Sequence, residues 1–355
     1  MSTEFDLIER YFKPLSSGLN KGDIGIGDDG AVLSVPENHQ LVVVTDTLVS
    51  GVHFPVETDP YDIAWKALAV NLSDLAAMGA NPGFFSLALT LPNQDDAWLE
   101  AFAKGLSDLA YHCYVRLVGG DTTKGPLTIT VTAHGWVPKG QAVCRSGANL
   151  GDVICVTNTI GDGALGLKFA LKTLPETLQS SFEASEQEAA LQALNRPMPQ
   201  LSMIELLRKY ATSAIDISDG LVADLEHVIH SSNLLRRASQ ASTLSAKIDL
   251  EYIPLSNALK RYIELSSDWS AVLAGGDDYQ LCFTISPQHF EVLKKAADVL
   301  DVQVTEIGYC VEKIETLSGV EKNESAVING SVVLCRKGVP LDLSDFLQSR
   351  GYLHF

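Results

Sequence analysis

The apolar positions of this chain change period several times, and each change marks an element. Leu7, Ile8, Tyr11, Phe12 and Leu15 recur at helical spacing behind Thr3 and Asp6, a capping-box pair, so the chain opens with a helix. Beyond the Gly/Asp-rich stretch that begins at Asp23, AVLSV (31–35) and LVVVTDT (41–47) read as strands joined by the turn PENHQ. Pro60 opens an Ala/Leu-rich helix that stops at Gly79. FFSLALTL (84–91), a helix across 95–112, RLVGGDT (116–122) and the alternating LTITVTAHGWV (127–137) complete a strand-rich first half. The second half restarts with DVICVTNT (152–159), a GDGALG turn into a helix, and a helical region over about 175–210. SAIDISDGLVADLEHVI (213–229) reads as a short extended piece entering a helix, and the polar stretch 232–246 as a loose surface segment. KIDLEYI, VLAGGDDYQLCFTI, an amphipathic helix at 290–300 and VTEIGYCV then alternate, which predicts α/β layers in both halves.

Length and composition restrict what such layers can be. A chain of 355 residues exceeds one ordinary core, so two domains are expected, divided near Pro138 into 1–138 and 139–355. With 46% hydrophobic and 20% charged residues the chain is globular rather than disordered. Its 26 Lys and Arg against 44 Asp and Glu give a formal charge of −18, which repels nucleic acid and anionic membranes. No apolar run approaches the ~20 residues of a membrane span, and MSTEFDLIER lacks the basic flank and apolar stretch of a signal peptide, so a cytoplasmic protein is expected. The six cysteines form no CxxC pair and read as buried thiols.

Candidate chemistry lies in the acids. Apolar strands run repeatedly into Gly and Asp: GIGDDGAVL (Asp28, Asp29), VVVTDTLVSG (Asp46), LVGGDTTKG (Asp121), AIDISDG (Asp216, Asp219) and VLAGGDDY (Asp277, Asp278). Any one of these is a common turn. Their recurrence, together with Asp74 inside the apolar helix KALAVNLSDLAAMGA, points to convergence on one metal–phosphate site. Hard oxygen donors of this kind suit Mg²⁺ with its waters and substrate phosphates. Asp74 has no Lys or Arg three or four residues away, so its desolvation calls for a more distant partner or a metal.

Other motifs lead nowhere or only part of the way. GxGxxG at Gly25–Gly30 is followed by a strand, not a helix, and is an acidic loop. A second copy at Gly161–Gly166 opens a helix but has no following strand with a ribose-binding acid, so its use is limited to amides that could cradle phosphate. The chain contains no GxxxxGK[ST], HRD or DFG. His227 and His230 share a helical face without zinc spacing and fit a surface role. His53, just after the Asp46 strand, serves packing or substrate contact, and Arg145 is a rare cation that could fork a phosphate.

TDTLVSGVHF, KALAVNLSDLAAMGANP, GGDTTKGPL, RSGA, AIDISDGL, GGDDYQLCF and the terminal GYLHF, in this order across nearly the whole chain, resemble the motif series of the thiamine-monophosphate kinase family. The resemblance implies a two-domain α/β (α+β) fold of the aminoimidazole ribonucleotide synthetase type, its N-terminal sheets pairing in a homodimer and its C-terminal domain a mixed sheet with helices. It further implies ATP-dependent phosphorylation of thiamine monophosphate with Mg²⁺. By the same resemblance Asp29, Thr45, Asp46, Asp74, Asp121, Asp216 and Asp219 would hold magnesium. Gly120, Asp121, Arg145 and Ser218 would contact ATP; Asp46, Asp121 and Arg145 would carry the transfer itself. His53, Asp277 and an aromatic near the C-terminus, Phe346 or Tyr352, would face the thiamine compound. The sequence departs from the family's usual GGEDYE, which here reads GGDDYQ.

The implied reaction fits the residues without a catalytic base. A phosphate acceptor with a second pKa near ~6 is largely ionised at neutral pH and is its own nucleophile. Within the superfamily, selenophosphate synthetase would need a reactive Cys near the N-terminus, and none precedes Cys113. The hydrogenase-maturation protein would end in Cys, whereas this chain ends Leu-His-Phe. An aminoimidazole ribonucleotide synthetase-like enzyme, or a magnesium–nucleotide-binding module without activity, are the alternatives.

Overall fold

The computed structural model describes residues 4–19, 21–313 and 331–341. It divides into two compact units, Met1–Ala142 with Asn195–Leu201, and Val143–Leu194 with Ser202–Phe355.

Unit one begins with α1 (Glu4–Leu7), continued by a π turn at Ile8–Phe12 and a 3₁₀ turn at Lys13–Ser16. The expected opening helix is thus one continuous helical path of changing pitch. Next come β1 (His39–Val49), α2 (Pro60–Ala77), β2 (Asn81–Leu91), α3 (Asp96–His112), β3 (Arg116–Lys124) and β4 (Thr128–Pro138). The strands pair in the order β1-β4-β2-β3, antiparallel except for β2 with β3. Residues 31–35 do not form the expected strand; Val32 alone bridges Ile24, closing a loop around Asp28 and Asp29. The two backbone bonds of that bridge and the Asp23 carboxylate, which accepts from Ser34, already satisfy the loop locally, leaving no ladder to extend.

The alternation in β4 does what its period predicts. Ile129, Val131, Ala133 and Val137 are buried while the threonines between them face outward. On that outer face Thr45 and Thr47 of β1 meet Thr132 and Thr130 through hydroxyl pairs, and Leu41 and Val43 remain 47% and 53% exposed. The inner face packs on α2, whose residues are buried almost all round. Asp59 caps α2 by accepting from Tyr61 N–H, with Pro60 at its first turn. α3 lies close against α2: a Cβ on Gly105 would stand 2.2 Å from the Tyr61 carbonyl oxygen. The separate segment 195–201 joins this unit through Arg196, which pairs with Asp62 and stacks over the Tyr61 ring, and through Pro197, whose carbonyl accepts from Trp65.

Unit two contains β5 (Val153–Thr157), α4 (Asp162–Ala170), α5 (Glu176–Gln179), α6 (Ala184–Asn195, its last residue counted with unit one), α7 (Ile204–Tyr210), β6 (Ala211–Asp216) and α8 (Leu221–Ala238). β7 (Leu244–Asp249), α9 (Asn257–Ser266), α10 (Ser270–Leu273), β8 (Leu281–Ile285), α11 (Pro287–Val299), β9 (Val304–Glu312), β10 (Val332–Arg336) and β11 (Val339–Pro340) follow. They form one mixed sheet in the order β11-β10-β7-β9-β5-β8-β6. The helical region over 175–210 is broken into three α-helices and a 3₁₀ turn at Leu201–Met203.

The polar stretch 232–246 is not loose. α8 runs through Ala238, and Asn233 is buried with its side chain both donating to the Leu244 carbonyl and accepting from Leu244 N–H, so it clamps the helix to β7. Ser232 Oγ likewise accepts from Gly147 and Ala148 N–H. Five cysteines are buried but Cys144 is exposed, and burial pushes the Cys113 thiol up to about 12. No helix among the described residues is long and apolar enough to cross a membrane.

The Gly105 contact leads to a measurable expectation. Gly105→Ala should lower stability by about 1–3 kcal/mol, because the methyl forces α3 away from α2. Urea unfolding reads this directly, and an unchanged midpoint would show that the helices accommodate the methyl by sliding.

Candidate active site

In unit one the acids come from three places. The closed loop of residues 24–32 carries Asp28 and Asp29, both exposed, with Asp28 accepting from Asp29 N–H. β3 carries Gly120 and Asp121, paired in register with Leu87 and Ala88. These two groups line one cavity of about 990 Å³, together with Glu9, Lys13, Ser86 and His134. The Lys13 ammonium is 2.8 Å from Glu9, so the rim of the cavity holds a cation among acids.

The third place is where β1 lies against α2. Asn71, fully buried, donates to the Ala67 carbonyl and accepts from the Asp46 N–H at 3.1 Å. This bond sets the height of Asp46 along α2, and Asp74 follows Asn71 by three residues on the same face. Asp74 is half-buried, so its carboxylate sits at the rim of the apolar helix rather than within the core. Thr45 donates to Thr132 Oγ1. His53 Nδ1 accepts from Val49 N–H at 3.0 Å, which leaves Nε2 as the protonated nitrogen of the neutral ring. Its carbonyl accepts from Lys66, a buried lysine of α2.

In unit two β8 runs antiparallel to both β5 and β6, so the loops leaving β5 and β6 and the loop entering β8 share one end of the sheet. That end holds Asp216, the last residue of β6, then Ser218 and Asp219, and Asp277 before β8. Asp224, in the first turns of α8, is 2% exposed and its Oδ2 accepts from the N–H groups of Ser218, Asp219 and Gly220 at 3.0–3.1 Å. Burial, and then the charges of Asp216 and Asp219, push its pKa up to about 8 against the pull of the amides. Asp277 N–H donates to the Ser218 carbonyl, and Tyr279 Oη donates to Asp277 Oδ1 at 3.0 Å. Arg145 is exposed.

The expected phosphate cradle at Gly161–Gly166 is already filled. The buried Asp278 carboxylate accepts from Gly161 N–H at 2.8 Å and Gly163 N–H at 3.2 Å, so these amides serve the protein itself. Desolvation raises the pKa of Asp278 well above the carboxylate range, with the charges of Asp162 and Asp277 adding to the effect and the two amides opposing it. Gln280, where the related motif has Glu, accepts from Thr157 Oγ1 and Asn158 Nδ2 and joins β5 to the start of β8.

The sequence-derived candidates therefore fall into two sets, Asp29, Thr45, Asp46, His53, Asp74, Gly120 and Asp121 in unit one, and Arg145, Asp216, Ser218, Asp219 and Asp277 in unit two. Phe346 and Tyr352 lie outside the described residues. Among those described, no three acidic, histidine or cysteine side chains form a ready metal cage. The donor chemistry nevertheless suits a hard cation that keeps waters and phosphate oxygens in its shell.

Reading of the sequence missed Lys66, Asn71, His134 and Asp224. Asn71 and Lys66 carried one available signal, polar residues inside an otherwise apolar helix. His134 lines the cavity with a buried Nδ1 that has no partner among the described residues, and burial lowers its pKa, so the ring is neutral. In the sequence it is only one outward position of an alternating strand.

Residues 27–137 match the family model for "AIR synthase related protein, N-terminal domain". The chain is 44% identical over 326 residues to the thiamine-monophosphate kinase of Escherichia coli strain K12, covering 92% of this chain and 96% of that protein. A crystal structure of thiamine-monophosphate kinase from Stenotrophomonas maltophilia K279a superposes with TM-score 0.79 at 39% identity, covering 96% of this chain and 98% of that one. A structure described as AaThiL complexed with AMPPCP and TMP superposes with TM-score 0.71 at 30% identity, covering 100% and 99%.

The Asp224 cluster gives a pH expectation. The native state holds the Asp224 proton to about pH 8, whereas an unfolded carboxylate releases it near its ordinary value of 3.8. The native state then binds more protons across that interval, so this group's contribution makes stability fall as pH rises through it. With chelator present, urea unfolding from pH 5 to 9 should show a decline for the wild type that flattens in Asp224→Asn by at least ~1 kcal/mol. Parallel pH profiles would dismiss Asp224 as the source.

Proposed function

On the premise that this chain belongs to the thiamine-monophosphate kinase family, we propose a role in that reaction for each part of its two sets of site residues. The chain transfers the γ-phosphoryl group of ATP to thiamine monophosphate, giving thiamine diphosphate and ADP. The observation that carries this activity is 44% identity along 92% of the chain.

In the proposed division of labour, Asp29, Thr45, Asp46, Asp74 and Asp121 of unit one and Asp216 and Asp219 of unit two hold magnesium. When bound, magnesium neutralises phosphate charge on both substrates. Gly120 and Asp121 of the cavity, with Arg145 and Ser218, contact ATP. Gly120 lies backbone to backbone against Leu87 of β2, where a Cβ would stand 1.9 Å from the Leu87 carbonyl oxygen, and Arg145 offers a planar fork to phosphate oxygens. His53, donating from Nε2, and Asp277 face thiamine monophosphate.

Its phosphate oxygen attacks the γ-phosphorus in line while the bond to the β,γ-bridging oxygen breaks and ADP leaves. No general base is needed, because the acceptor oxygen is already ionised. The protein's contribution is positioning and charge, so Asp46, Asp121 and Arg145 are its principal residues. Asp46 suits this task because Asn71 fixes its backbone from α2.

We further propose a homodimer formed through the unit-one sheet. The uncovered Leu41 and Val43 beside a row of paired threonines supply a face for it. The reaction is placed in the cytoplasm, with its two phosphorylated substrates.

A coupled assay for ADP release tests the activity: ADP should form with thiamine monophosphate and magnesium and not without the acceptor, whereas acceptor-independent hydrolysis would refute the kinase reading. Asp46→Asn keeps shape and removes charge, so turnover should fall by on the order of 10²-fold or more with the fold intact by circular dichroism. Wild-type turnover at saturating magnesium would remove Asp46 from the site.

A further inference from the structure

The GGDDY turn contains a buried acid to which the reaction assigns no task. Asp278 is 7% exposed, and its two oxygens are spent on separate amides, Oδ2 on Gly161 and Oδ1 on Gly163. The residues on either side of it have left-handed backbones, Asp277 at φ 67° and Tyr279 at φ 50°. Two such non-glycine residues flanking one position persist only where their surroundings over-determine them.

Those surroundings come from two loops. The loop after β6 accepts Asp277 N–H at the Ser218 carbonyl and Tyr279 N–H at the Ile217 carbonyl, 3.0 and 2.8 Å away. The turn from β5 into α4 grips Asp278, and the first turn of α4 touches the same turn backbone to backbone, since a Cβ on Gly163 would stand 2.3 Å from the Asp277 carbonyl oxygen. Tyr279, whose ring is directed by that φ, then donates its hydroxyl to Asp277 Oδ1. The Asp277 carboxylate thus stands on the turn that Asp278 anchors.

We propose that Asp278 is a positioning residue for acceptor binding: by holding the Gly161–Gly163 loop it locks the left-handed turn that presents Asp277. The inference rests on the reading of Asp277 as the acceptor-facing carboxylate. It explains why a buried acid stands beside another acid in a turn where a neutral residue would avoid the desolvation: two inward-facing amides need two acceptor oxygens from one side chain, which Asn cannot supply.

The experiment compares Asp277→Ala, Asp278→Asn and the double variant in steady-state kinetics, with melting temperature measured alongside. Asp278→Asn turns one acceptor oxygen into an NH₂ facing an amide N–H, so the turn should loosen. The KM for thiamine monophosphate should rise roughly ten-fold in each single variant, with the KM for ATP unchanged. The double variant should be no worse than Asp277→Ala, because both lesions act through one carboxylate. A selective rise in Asp277→Ala without one in Asp278→Asn, a rise in both KM values for Asp278→Asn, or additive effects in the double variant would overturn the positioning role alone. No effect in Asp277→Ala would overturn the acceptor reading of Asp277, and with it this proposal. If Asp278→Asn does not fold, Gly163→Ala presses on the same turn from the opposite loop, and the same selective rise is expected; an unchanged KM there overturns the proposal.

Discussion

A carboxylate removed from water needs hydrogen-bond donors around it, and an amide removed from water needs an acceptor; in unit two these requirements meet at a pair of buried aspartates. Asp224 takes the three N–H groups of the loop after β6, and Asp278 takes two from the loop after β5. Each buried acid converts a loop that would otherwise present free amides into a fixed platform. The residues proposed to meet ATP, magnesium and the acceptor, Ser218, Asp219 and Asp277, stand on or against these platforms. The cost is the desolvation of two carboxylates, which is visible in their raised pKa values.

Unit one uses a different device. Among the described residues its site strand β1 lies at the edge of the sheet, with β4 as its ladder partner, and α2 supplies a further constraint through Asn71. A helix buried nearly all round can hold a polar side chain at a defined height, because its own packing prevents sliding. Asp46 and Asp74 are thereby related through one rigid element. The acids of the loop at 28–29 and of β3 instead share a cavity whose wall is a sheet edge and whose rim is the Lys13–Glu9 pair.

Much of this was legible in the residues. The alternating run at 127–137 and the helices at 60–78, 95–112 and 290–300 appear where period and turn chemistry put them, and Asp216 ends β6 as expected. Asp46 and Asp121, however, lie inside β1 and β3, Asp28 and Asp29 lie in a loop, and Asp277 and Asp278 follow the helix α10 and precede β8. Two misreadings share a cause. The polar stretch 232–246 looked like a loose surface segment, yet Ser232 and Asn233 face inward and satisfy backbone groups of other segments. The GDG at 161–163 looked like an empty anion cradle, yet Asp278 occupies it. In both, composition gave the capacity to form hydrogen bonds but not the partner.

What the sequence by itself determined is therefore the type of most elements, the face they bury and, through the order of its motifs, the family. Those properties depend on neighbours one to four residues apart, which a linear reading contains. Only the tertiary structure decided which donors remain free and which are consumed. The Asp278 bonds join residues 115 and 117 positions apart, and the Asn71 bond spans 25. Hydrogen bonding and desolvation depend on separation in space, so whether an acid serves a ligand or the protein's own backbone is set only when the loops are brought to the same end of the sheet.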